Sequence, residues 1–164
     1  GQNTSVKIIG DQADPSHLYA AAFNHSDEVY LWGRMENYNH LPKPPRDVIV
    51  WKKNNIGMGA GYRGQYEVCF YYGNFKGSDS DVWEVKRDTD YTHPTQKPVE
   101  LAQRAILNSK PKTVLDLFGG SGSTLIACEK TKRKCYMMEL DPHYCSVIIK
   151  RWEKFTGQKA VKCE

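Results

Sequence analysis

Long apolar runs are missing from this sequence. Segments such as Val48 to Trp51 are far too short to cross a bilayer, which takes ~20 apolar residues in a helix. No charged-then-apolar leader opens the chain either, so a soluble, unexported protein with no membrane partner is expected. Cysteine pairing is equally scarce. The five cysteines, Cys69, Cys128, Cys135, Cys145 and Cys163, are odd in number and form no CxxC pair, which points to reduced thiols and a cytoplasmic location. The histidines His17, His25, His40, His93 and His143 show no metal-ligand spacing with one another or with the cysteines, so no metal is expected. Internal repeats and low-complexity tracts are also lacking. Charge is only mildly unbalanced, at +4 with a pI near 8.7, which permits an anionic partner without requiring one.

What is present is a chain of 164 residues, 40% of them hydrophobic, the size of a single domain. Such a chain can remove roughly two thirds of its unfolded surface from water. Asp14-Pro15 reads as a helix cap followed by proline, with Leu18, Ala22 and Phe23 on one face and an end near Asn24. Strands are expected over Glu28–Trp32, Asp47–Lys53 and Glu67–Gly73. Between the last two lies NNIGMGAGYRG, a glycine-rich loop ending in Tyr62 and Arg63, and GNFKGSDSD forms another loop. From HPTQKP onward the rhythm becomes strand and helix in alternation. Pro98 opens a helix with Val99, Ala102 and Ile106 aligned, and strands follow over Thr113–Phe118 and Lys134–Leu140. Asp141-Pro142 repeats the cap signal. Its helix carries a core-facing stripe of Cys145, Ile148, Ile149, Trp152 and Phe155. Parallel crossovers of this kind make an α/β layered sheet.

The stretch VLDLFGGSGST, Val114 to Thr124, places three glycines directly after the strand at Thr113. In a parallel sheet ligands collect beyond the carboxyl ends of the strands, and glycines there allow close approach to the backbone and to the amides of the next helix. A phosphate-binding Walker loop needs lysine after its last glycine, whereas Ser123, Thr124 and Leu125 follow Gly122. Leu125 also stands where a dinucleotide fingerprint has its third glycine, which weakens that reading and leaves it open. Glu139 closes the next strand 17 positions after Gly122, where a carboxylate accepts hydrogen bonds from ribose hydroxyls. A nucleoside without phosphates, attached to methionine through a cationic sulfur, suits this combination. Competing with it is a structural turn with Glu139 as a solvated strand end. If a ligand binds here, valine at Gly122 is expected to block it while leaving the fold largely intact.

Three stretches together, HPTQKP (His93 to Pro98), DLFGGSGST (Asp116 to Thr124) and ELDPHY (Glu139 to Tyr144), resemble the cofactor half of the permuted, β-class DNA amino-methyltransferases. The likeness runs from about Ile8 to Ala160. It implies a Rossmann-like α/β sheet with helices on both faces in circularly permuted motif order, and S-adenosylmethionine as cofactor. Double-stranded DNA is the implied partner, with methyl transfer to adenine N6 in preference to cytosine N4, in a phage or restriction-modification setting. Carried onto matching positions, the resemblance puts His93, Thr95, Asp116, Phe118, Gly119, Ser121, Gly122, Ser123, Glu139 and Asp141 around the cofactor. His93 keeps a second reading, as a helix-entry histidine satisfied by local backbone. The whole chain then forms one methyltransferase domain, with residues 1–90 on the DNA side and 91–164 holding the cofactor. Its assembly state is open, a homodimer included.

One departure stands out. The family's catalytic signature, an acidic or amide residue followed by two prolines and an aromatic, is absent from this sequence. Lys43-Pro44-Pro45-Arg46 and Asp14-Pro15-Ser16-His17 each hold only part of it and read as a turn and a helix cap. An exocyclic amine has its lone pair delocalised into the base and needs an acceptor to polarise it, so no residue here is assigned a catalytic role. Because residue 1 is glycine rather than methionine, the sequence reads as N-terminally incomplete, with the missing strand upstream. Lys52, Lys53, Tyr62 and Arg63 are the candidate DNA contacts, combining phosphate pairing with base stacking. The alternatives are a non-catalytic module that binds cofactor or DNA and, less well supported, a dinucleotide oxidoreductase.

Overall fold

The structure, a computed structural model, describes residues 16–87 and 96–163. The expected Asp14-Pro15 cap, His93 and Thr95 lie outside the described residues. In order come α1 (Ser16–His25), β1 (Val29–Gly33), a 3₁₀ turn (Met35–His40), β2 (Asp47–Lys52), β3 (Tyr66–Tyr72) and β4 (Val82–Glu84). They are followed by α2 (Val99–Asn108), β5 (Thr113–Asp116), α3 (Ser123–Thr131), β6 (Lys134–Met137) and α4 (Pro142–Thr156). The strands β5 and β6 stop short of the expected Phe118 and Leu140, because the chain leaves the ladder to form the turns beyond Asp116 and Met137.

Among the described residues the strands form two sheets. One is mixed, in the order β1-β3-β2-β4, with β3 antiparallel to β1 and β2 and β4 parallel to β2. The other is the parallel pair β5-β6, with Leu115 opposite Tyr136. β3 is the buried centre of the first sheet, and its alternating side chains feed two clusters. Cys69 and Tyr71 join Ile49, Trp51, Trp83, Leu101 and Ala105 on one face. Val68, Phe70 and Tyr72 join Val29 on the other, covered by Ala22 and Phe23 of α1. Trp51 and Trp83 are fully buried, yet neither indole N–H is orphaned: Trp51 donates to the Val85 carbonyl at 2.8 Å and Trp83 to the Ser80 carbonyl at 2.7 Å.

α2 ties the sheets together. Leu101 and Ala105 pack on the four-stranded sheet, while Val99, Ala102 and Ile106 pack with Ala127, Cys128, Val114 and Cys135 of the second unit. The sequence pattern found the second of these faces and missed the first. Arg104, between them, donates to Asp79 at 2.9 Å and stacks on the Trp83 ring, fastening the helix to the loop before β4.

The α/β layering agrees with the sequence, and helices cover both faces of the four-stranded sheet. The β5-β6 pair is covered on one face, where α3 packs on Val114 and Cys135; on the other, Leu115 and Tyr136 are exposed. The stripe expected on α4 is buried only in part. Tyr144 and Ile148 are buried, whereas Ile149 and Phe155 lie about half exposed, because α4 sits beside α3 at the rim of the molecule rather than beneath a sheet. A short strand, β4, and the 3₁₀ turn had no signal in the sequence pattern.

No helix among the described residues is long and apolar enough to cross a membrane. The cysteines are all unbonded, with Cys69 and Cys128 buried and Cys163 exposed.

Candidate functional site

The turn after β5 lies where the two parallel strands end. Gly119 N–H donates to the Met138 carbonyl at 2.8 Å and Met138 N–H donates to the Asp116 carbonyl at 2.8 Å, so the segments past β5 and β6 stay stitched together. Asp116 accepts the Phe118 amide at 3.0 Å, which folds the chain over at the strand end. Phe118 itself stands 56% exposed beside the turn, an apolar face offered outward. Gly119 leaves no room for a side chain: an added Cβ would lie 2.9 Å from Met137. Gly122, the cap of α3, has φ +81°, a left-handed conformation suited to glycine.

Glu139 is the hinge of the site. Its Oε2 accepts the Gly120 amide at 2.7 Å and its Oε1 accepts the Asp141 amide at 2.9 Å. One carboxylate thus clamps the glycine turn to the loop after β6. Each carboxylate oxygen has a second lone pair, which leaves capacity for a pair of ligand hydroxyls. Asp141 turns its own side chain to the His143 amide at 2.8 Å and caps α4. The two positions therefore differ: Glu139 faces the turn, and Asp141 serves the helix that follows.

Ser121 and Ser123 point inward. Arg151, on α4, donates to the Ser121 carbonyl and hydroxyl, each at 3.1 Å, and to the Ser123 hydroxyl at 3.3 Å. Ser123 in turn donates to the Lys97 carbonyl at 2.6 Å. These hydroxyls hold the turn in shape from beneath. Sequence reading missed Arg151, whose signal was a cation set among the apolar positions of α4.

A second chain of contacts leaves the turn through Lys97. Its ammonium pairs with Glu67 at 3.2 Å, and Glu67 also pairs with Lys53 at 2.6 Å. Burial raises the Glu67 pKa, but Lys97 and Lys53 outweigh it and hold the carboxyl below its ordinary value. Of the candidate DNA contacts, Lys53 is thus largely buried in this cluster, and Lys52 pairs with Glu84 at 2.8 Å. Tyr62 and Arg63 are exposed in the loop between β2 and β3. Among the described residues no cluster of His, Cys, Asp or Glu could hold a metal ion.

A glycine turn between two parallel strand ends, clamped by an acidic residue, defines a Rossmann-like α/β protein. Solved methyltransferase structures share the fold. The M1.HpyAVI–SAM complex matches with a TM-score of 0.62 at 24% identity, over 76% of this chain and 74% of that one. The cytosine-N4-specific PvuII DNA methyltransferase gives 0.56 at 14% identity, over 75% and 58%. Residues 10–151 match the DNA methylase family of N6/N4 type, and the chain belongs to that family. Among curated relatives, the type II methyltransferase M2.LlaDCHI of Lactococcus lactis subsp. cremoris is 30% identical over 115 residues, covering 66% of this chain and 42% of its own length. M2.DpnII of Streptococcus pneumoniae is 26% identical over 149 residues, covering 89% of this chain and 50% of its own. The chain spans half or less of these relatives.

Proposed function

We propose that this chain is the cofactor-binding part of a DNA amino-methyltransferase that uses S-adenosylmethionine to methylate an exocyclic amine, adenine N6 in preference to cytosine N4, in double-stranded DNA in the cytoplasm. The observation that carries this reading is the Glu139 clamp on Gly120 at the carboxyl ends of β5 and β6. The site suits the group: apart from its chain neighbours, the nearest atom to a Cβ built on Gly120 is the Phe118 carbonyl oxygen at 3.9 Å, so the outer face of the turn is open, and the exposed Phe118 ring flanks it. Glu139 would accept the ribose hydroxyls, Gly119 and Gly122 let the turn pack closely on Met137 and Ile148 so that it holds its shape, and Phe118 supplies an apolar wall. Asp141, Ser121 and Ser123 belong to the same wall through their backbone, with His93 and Thr95 as further candidates. When bound, the cofactor supplies an electrophilic methyl on a sulfonium.

The acceptor that would polarise the target amine comes, on this reading, from a strand that is not among residues 1–164. A cavity of about 1340 Å³ lies between the two sheets, lined among others by Glu28, Tyr72, Phe75, Leu107, Thr113 and Leu115. Its lining includes Ser26 to Glu28, which lead into β1, and Thr113 and Leu115 of β5, and β1 and β5 are each an edge strand among the described residues. An extended segment seated there would join the sheets into one and bring its carboxyl end beside the glycine turn. The chain alone is therefore expected to bind cofactor with little or no turnover.

Calorimetry tests the cofactor: S-adenosylmethionine should bind and adenine dinucleotides should not. Radiolabelled methyl should enter DNA only when a strand carrying the acidic-or-amide, proline, proline, aromatic signature is supplied to the chain. The missing signature favours one rival, a non-catalytic module acting by occupancy; no label in either form would establish it.

A further inference from the structure

The loop between β2 and β3 is a closed hairpin with an apolar tip. Lys53 N–H donates to the Gln65 carbonyl at 2.8 Å, extending the ladder by one bond, and Gly57 N–H donates to the Gly64 carbonyl at 2.9 Å, closing the loop below its tip. Beyond that closure Met58 and Tyr62 stand fully exposed, at 100% and 109% of their reference areas, with Ile56 half exposed behind them. Gly59 and Gly61, with φ of +118° and +73°, bend the chain between the two side chains. Water is a poor solvent for such a tip, and a methionine and a tyrosine held out on a tight hairpin call for a partner.

Position and charge select the partner. The hairpin root is joined to the glycine turn through Lys53, Glu67, Lys97 and Ser123, which ties the loop to the proposed cofactor site. Residues 54–65 contain no acidic side chain, and Arg63 stands exposed next to Tyr62. An apolar tip with an exposed cation beside it fits a stack of bases within a polyanion.

We infer that the β2–β3 hairpin is a DNA wedge: Met58 and Tyr62 enter the base stack of a duplex, and Arg63 holds the phosphate beside it. The wedge deepens the proposed function and rests on its DNA substrate. Such insertion would open the stack, which is the costly part of bringing a base to an active site.

The test uses the chain of residues 1–164 with a duplex carrying 2-aminopurine at several positions, followed by anisotropy and by the fluorescence rise that unstacking produces. M58A/Y62A should lose duplex affinity by about tenfold, lose the fluorescence rise, and keep the salt slope of binding. Arg63→Gln should instead reduce that slope by about one. The tip is fully exposed, so thermal midpoint and S-adenosylmethionine affinity should not move in either variant. Duplex binding and fluorescence unchanged in M58A/Y62A would overturn the wedge and leave the DNA reading intact. A double variant that loses self-association in sedimentation while still binding DNA would overturn it as well, in favour of a second copy on the tip. Failure of the unaltered chain to bind duplex at all would sink the wedge together with the DNA partner, whereas cofactor binding is scored separately.

Discussion

Single residues divide into those proposed to meet the cofactor and those that hold the turn. Glu139 holds the turn through the Gly120 and Asp141 amides, and its remaining lone pairs are the acceptors proposed for the ribose. Glu139→Ala should weaken S-adenosylmethionine binding by about 1.5–3 kcal/mol, read by calorimetry. Unchanged affinity would leave the carboxylate a purely structural clamp. Gly122 acts differently from the sequence expectation. Its Cβ would point at Ile148, 3.3 Å away, and not toward a ligand. Gly122→Val should therefore destabilise the fold by about 1–3 kcal/mol through its left-handed φ and this contact. A thermal midpoint equal to that of the unaltered chain would contradict this.

The elements around the site are secured by polar contacts that no local pattern announces. Arg151 reaches from α4 under the glycine turn, and Ser121, whose hydroxyl it meets, is buried. Arg151→Ala strands that hydroxyl and should cost about 1–3 kcal/mol, with cofactor affinity falling as the turn loosens; a variant as stable as the parent in urea would refute the role. Between α2 and the loop before β4, hydrogen bonds from Arg104 and then Asn108 hold the Asp79 carboxyl well below the usual carboxylate range. A depressed carboxylate stabilises the fold at neutral pH, and that contribution is lost as pH falls through about 4 toward the folded value. The stability gap between the parent chain and Asp79→Asn should thus be widest at neutral pH and close as the solution is acidified, measured by denaturant titration at a series of pH values. A gap independent of pH would exclude this linkage.

For the molecule as a whole, α2 decides whether two sheets behave as one body. It contributes Leu101 to one cluster and Ile106 to another. Leu101→Ala should cost about 2–5 kcal/mol, and hydrogen exchange should lose protection in β3 and α3 together. Protection lost in β3 alone would mean that the residues 1–90 and 91–164 are separate folding units.

The sequence by itself determined most of the elements, β4 and the 3₁₀ turn excepted, and the chemistry that depends on neighbours in the chain. The glycine turn after β5, the Asp141 cap, Glu139 at a strand end, and the alternation of strand with helix are local patterns of dihedral freedom, hydrogen bonding and burial, so they could be read directly. Only the tertiary structure decided what those residues touch. The pairing of Lys53 with Glu67, the inward turn of Ser121 and Ser123 toward Arg151 and Lys97, and the division into two sheets joined by α2 all depend on groups far apart in the chain. Such contacts are fixed by how the elements dock. A side chain's spacing along its own helix or strand sets which face it occupies, and the partner on that face is supplied by a distant segment that no periodicity specifies.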